Sequence, residues 1–109
     1  MLGQTIQKIY VGIAAVDMRK SFHGLCGVVR ATFGEDPRSG SYFVFFNKKG
    51  NQVKVLYYDR TGFAIWMKNL DKGTFARPTG KGEKIEITVE ALDRIISGLS
   101  YEPEHKVAA

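Results

Sequence analysis

Residues 42–70 contain three runs of alternating side chains, Tyr42–Phe46, Gln52–Tyr58 and Phe63–Leu70, separated by two turns of one design. Asn47-Lys48-Lys49-Gly50 and Asp59-Arg60-Thr61-Gly62 each put Asn or Asp first and Gly fourth. That order predicts a type I turn whose Gly takes positive φ and closes a three-residue hairpin loop with a bulge. Two such hairpins in series make a three-stranded antiparallel meander. The turn type also predicts a register, with Asn47 facing Asn51 and Asp59 facing Phe63. One face then carries Phe43, Phe45, Val53, Val55, Tyr57, Phe63, Ile65 and Met67, all apolar or aromatic, and reads as the core face. The other carries Tyr42, Val44, Phe46, Gln52, Lys54, Leu56, Tyr58, Ala64, Trp66 and Lys68. There Lys54 is expected across from Lys68, and Leu56 across from Trp66.

The flanking sequence completes an α+β fold. Alternation over about residues 6–13 predicts an N-terminal strand. Asp17 stands at the N-cap of a helix over about 18–33, with Met18, Phe22, Leu25, Val29 and Phe33 as its apolar stripe and Gly34 as its C-cap. Gly24 and Gly27 within it predict close packing on the sheet. Residues 71–84 read as a Gly-rich basic loop and Ile85–Ile87 as a short strand. A second helix over about 89–98 has Thr88 as its N-cap and Val89, Leu92, Ile95, Ile96 and Leu99 as its apolar positions. The expected architecture is an antiparallel sheet with a central meander, an N-terminal strand and two helices. Residues 1–101 are read as one domain and 102–109, polar and Pro-interrupted, as a flexible tail.

Charge and chemistry narrow the function classes. Sixteen Lys and Arg against eleven Asp and Glu leave a formal charge of +5, which favours an anionic partner. A single cysteine, Cys26, permits no internal disulfide and suits a reducing compartment. No signal peptide and no apolar run of about 18 residues is present, so a soluble, cytoplasmic protein without membrane contact is expected. His23 and His105 are not spaced as metal ligands, and a lone mid-helix Cys26 reads as a small buried hydrophobe. Gly80-Lys81-Gly82-Glu83-Lys84 has the composition of a phosphate loop without its spacing or a following helix. No catalytic residue, metal or cofactor is assigned.

Two features suit a phosphate backbone. Arg19 and Lys20 follow Asp17 at the expected helix start, where exposed N–H groups and cations would hold a phosphate or a partner carboxylate. The competing reading pairs Arg19 with Asp17. Lys54, Tyr58, Trp66 and Lys68 would form a basic and aromatic platform if their sheet face stayed uncovered. The competing reading covers Val44, Leu56 and Trp66 with a helix or a second subunit and lets the lysine stems reach the rim. With the loop cations Lys48, Lys49, Arg60 and Arg77, these residues make up the candidate nucleic-acid or partner-binding set.

The string Asp17-Met18-Arg19-Lys20-Ser21-Phe22-His23-Gly24-Leu25 resembles the D-M-R-K-x-F-x-G-L opening of the TnpB accessory proteins. These are second-open-reading-frame products of the bacterial insertion-sequence family numbered sixty-six. The similarity continues through Asp36-Pro37, Ser39-Gly40, Phe43-Val44-Phe45, Asn47-Lys48-Lys49, Lys54, Leu56, Tyr58-Asp59, Gly62, Trp66, Lys68, Leu70, Gly73, Phe75 and Pro78 to a closing helix at Leu92–Gly98. It covers roughly residues 8–101. Tyr58 stands where the family often has Trp, and His23 where it often has Asp. The resemblance implies a small protein encoded beside a larger transposase that carries the catalytic acidic triad. The implied function is a non-catalytic accessory factor of transposition that binds DNA, the transposase of the same element, or both. The alternative is a protein adaptor or homo-oligomeric module with no nucleic-acid contact.

Overall fold

The computed structural model describes residues 8–98. Five strands, β1 (Ile9–Gly12), β2 (Tyr42–Phe46), β3 (Gln52–Asp59), β4 (Gly62–Asn69) and β5 (Lys84–Ile87), form one sheet in the order β4-β3-β2-β1-β5. The helices are α1 (Phe22–Val28), which runs on as a π-helical turn over Val29–Phe33, and α2 (Val89–Ile96). The α+β class and the β2-β3-β4 meander stand as expected. The meander forms one side of the sheet, and β1 runs parallel to β2 and antiparallel to β5, so the sheet is mixed. A parallel pair needs a crossover, and α1 with its π turn supplies it.

Both faces of the sheet are covered. On one, Ile9, Val11, Tyr42, Val44, Phe46, Val53, Val55 and Tyr57 pack with Phe75, Ile87, Leu92 and Ile95. On the other, Tyr10, Phe43, Phe45 and Leu56 pack with Leu25, Cys26, Val29 and Phe33. Phe33 ties the π turn to the sheet, with ring centroids 5.4 Å from Phe45 and 6.1 Å from Phe43.

This two-sided burial explains why both hairpin registers differ from expectation by one residue. In the first, Phe46 pairs with Val53, and the Asn47 side chain accepts from the Gln52 N–H at 3.0 Å. Asn51 becomes the extra residue, although Gly50 does take φ 75° as the turn requires. In the second, Asp59 pairs with Gly62 across a two-residue loop, and Arg60, not the glycine, takes positive φ at 55°. Turn register is set by such local choices. Alternation could not arbitrate, because either register buries apolar side chains when both faces are covered. Lys54 therefore lies opposite Phe45 and Met67, while Lys68 lies opposite Val53. The expected single core face is split: Phe43, Phe45, Phe63, Ile65 and Met67 look toward α1, and Val53, Val55 and Tyr57 toward α2.

The first helix starts later than its sequence suggests. Ser21, not Asp17, is its N-cap, and Phe22 at the expected apolar stripe is 45% exposed. Residues 17–20 form a turn closed by the Lys20 N–H donating to the Asp17 carbonyl at 3.0 Å. The helical end at Gly34 (φ 67°) and the Thr88 cap, whose hydroxyl accepts from the Ala91 N–H at 3.0 Å, agree with expectation. The start of the N-terminal run, Leu99 and the tail 102–109 lie outside the described residues.

Candidate partner-binding groove

The residues expected to form a basic and aromatic platform are separated by the sheet itself. Lys54 and Tyr58 face α1, whereas Trp66 and Lys68 face α2. Trp66 packs against the core on that side. Tyr58 meets the Phe63 ring edge-on at 5.1 Å, and the Arg38 guanidinium lies 5.7 Å from the Tyr58 ring centre.

The two platform lysines are tied to backbone oxygens. The Lys54 ammonium donates to the carbonyls of Met18 and Lys20, each at 2.8 Å, and the residue is only 9% exposed. The Lys68 ammonium donates to the Ile96 carbonyl at the C-terminal end of α2, at 2.9 Å. There it also meets the negative end of the helix dipole. A third lysine, Lys84, repeats the device on the last carbonyl of the π turn, Phe33, at 2.7 Å, with Glu35 at 3.3 Å. Each ammonium satisfies carbonyls that a helix end or turn leaves without a partner.

Lys54 thereby builds the turn that carries Arg19. Its two acceptors bracket Arg19 in sequence, and the Asp17 carboxylate accepts from the Arg19 N–H at 2.9 Å. The same carboxylate holds the guanidinium through Nε at 3.0 Å and Nη2 at 2.6 Å. The competing sequence reading, that Arg19 pairs with Asp17, describes this contact. The Arg19 side chain is nevertheless 91% exposed, and its Nη1 has no hydrogen bond among the described residues. Hydrogen bonds from the Arg19 side chain and then its backbone N–H hold the Asp17 carboxyl at about 2, below its ordinary 3.8. A depressed carboxyl stays ionised until pH falls through its folded value, so the 17–19 pairing is present above about pH 3.8 and is lost near pH 2. An NMR titration is expected to give Asp17 a midpoint near 2, returning toward 3.8 in Arg19→Ala.

This turn forms one wall of an open groove of about 710 Å³; the β2–β3 hairpin forms the other. Arg19, Lys48 and Lys49 line it together with Asp17, and Val16, Met18 and Met67 supply apolar lining. The hairpin is braced by the Asn47 amide, which donates to Asn51 at 2.8 Å and Gln52 at 3.1 Å. Arg77 leans on the same hairpin: its guanidinium lies against Gly50 and donates to the Asn47 carbonyl at 3.4 Å. Four residues of the candidate set thus converge at one end of the sheet. Lys20 is exposed beside α1, with its stem against Gly24. Arg60 is exposed at the opposite end of β3. Sequence reading missed the groove's methionines and asparagines, whose only signal was their nearness to the turns.

Burial pushes the Cys26 thiol above its ordinary value, against a nucleophilic thiolate. Among the described residues no three His, Cys, Asp or Glu side chains are placed to hold a metal ion, and no helix is long and apolar enough to cross a membrane.

A family profile described as "IS66 Orf2 like protein" matches residues 7–106. Two relatives come from Sinorhizobium fredii. "Uncharacterized protein y4hO" is 30% identical over 99 residues, covering 91% of this chain and 85% of the relative. "Uncharacterized protein y4jC" is 29% identical over 94 residues, covering 86% and 80%. No solved structure matches the chain at a significant level.

Proposed function

Because the chain belongs to the IS66 Orf2-like family of transposition accessory proteins, we propose that it assists transposition by holding DNA phosphates at the cationic end of its sheet. The convergence of Arg19, Lys48, Lys49 and Arg77 from three separate segments carries this reading. Phosphate contacts fix a protein's position on a duplex without reading sequence, which suits a helper to a larger recombinase. Lys54 and Lys68, whose ammonium groups already serve carbonyls, act through the fold in this reading and not on the DNA. The apolar lining, with Met67 48% exposed, favours a second reading in which the groove docks the transposase.

A mobility-shift titration with duplex from the element's ends separates the two. Four phosphate contacts predict log affinity falling against log salt with a slope of about −3.6. Replacing Arg19, Lys48, Lys49 and Arg77 together by Ala is expected to flatten that slope and weaken binding by about a hundredfold or more. Absence of any shift at low salt, with transposase still captured by the wild-type chain, overturns the phosphate reading in favour of the adaptor.

A further inference from the structure

The two edges of the sheet differ in kind. β5 has four residues and carries Lys84 and Glu86, a short charged strand of the sort that resists pairing with another chain. β4 has eight residues, no Pro, Asp or Glu, and one charge, Lys68. That charge is turned onto the Ile96 carbonyl, so it does not guard the edge. Among the described residues β4 pairs with β3 alone. Two of the three large apolar side chains left exposed among the described residues, Phe22 and Met67, belong to α1 and to the α1-facing side of β4.

We infer that β4 of a second copy pairs antiparallel with this β4 about a two-fold axis at Ile65. An isologous seam needs a strand complementary to itself. Centred on Ile65, Phe63 meets Met67 on one face while Ala64 meets Trp66 and Gly62 meets Lys68 on the other. No like charges face each other. The two five-stranded sheets become one continuous sheet. Met67 and the α1 side of each copy are brought to the seam, which covers apolar surface that a single chain leaves wet.

The seam also completes the groove, and this step rests on the phosphate reading above. Within one chain Arg60 lies at the far end of β3 from Lys48 and Lys49. With the second copy's Gly62 beside Lys68, the second copy's Arg60 comes alongside Leu70, next to the groove-lining Asn69 and Met67. Neighbouring strands lie about 5 Å apart, within an arginine's reach. Each groove gains a cation from the other copy.

Sedimentation of the full chain without DNA is expected to show a dimer at micromolar concentration. Met67→Glu alters an exposed side chain and is expected to give a folded monomer with the wild-type circular dichroism spectrum, whose melting temperature, unlike that of the wild-type dimer, does not rise with protein concentration. Ile65→Cys is expected to cross-link to itself on mild oxidation, and Arg60→Cys is not; buried Cys26 does not compete. The shared groove is tested by mixing. Arg60→Ala and the Lys48→Ala/Lys49→Ala pair are each expected to bind DNA several-fold more weakly than wild type. Mixed, they form heterodimers with one complete groove, and affinity is expected to rise above either parent. A chain monomeric at every concentration, or a dimer without the Ile65→Cys cross-link, overturns the seam. No gain on mixing overturns the shared groove. A dimer that binds no DNA at all leaves the seam standing and overturns the phosphate reading instead.

Discussion

Lys54→Glu is expected to destabilise the protein by about 3–5 kcal/mol, the scale of a buried charge left without its partner. The wild-type ammonium donates to the carbonyls of Met18 and Lys20 from a position that is 9% exposed. A carboxylate there has nothing to donate and faces two oxygens of its own sign of partial charge. Lys54→Met keeps most of the apolar stem and removes only the donors. It is expected to fall between, since a buried acceptor left unsatisfied costs about 1–3 kcal/mol. Lys68→Glu removes a single bond at a half-buried position and is expected to cost about 1 kcal/mol. Chemical denaturation at neutral pH ranks the three. If Lys54→Glu unfolds at the wild-type midpoint, the ammonium does not serve the carbonyls in solution, and a solvent-facing role for Lys54 returns.

Phe45→Ala is expected to cost about 3–5 kcal/mol, at the upper end for a large-to-small core change. The ring is fully buried and stacks on Phe33, the last residue of the π turn. Phe33 in turn touches the site of Gly12 at the end of β1, where a Cβ would stand 3.0 Å from its ring. Removing Phe45 leaves Phe33 without one wall, and neither β1 nor the helix can move in to fill the space without breaking the parallel pair. Thermal unfolding of Phe45→Ala against Phe45→Leu checks the estimate, because leucine refills part of the cavity. Equal melting of both variants would mean that the site collapses and that this stack does not fix the crossover.

Particular residues show what was legible in the sequence. Thr88 and Gly34 mark their helix ends because a cap hydroxyl and a left-handed glycine act within one turn and need no distant partner. The meander was legible for the same reason. Its registers were not, because Arg60 could take the positive φ assigned to Gly62, and Asn47 could reach past Asn51 to Gln52. The start of α1 was hidden by a long-range bond. Asp17 has the chemistry of a cap, but the carbonyls behind it are held by a lysine more than thirty residues away. The candidate site followed the same division. Arg19, Lys48 and Lys49 sit beside local turn signals, and the fold brings them to one groove. The platform of Lys54, Tyr58, Trp66 and Lys68 depended on side-chain parity, and a one-residue slip put its members on opposite sides of the sheet.

The position of β1 between β2 and β5 has a consequence for how the chain is made. β1 is synthesised before either of its neighbours, and one of them, Lys84–Ile87, emerges only after β2, β3 and β4. A nascent chain whose first four strands have already joined into the order β4-β3-β2-β1 therefore presents two open edges, one of them transient. Arrival of β5 closes the first with a charged strand, and α2 follows immediately to cover the face beside it. Interruption of synthesis before residue 84 would leave a sheet sticky on both sides, so the arrival of β5 decides whether the product stays out of aggregates.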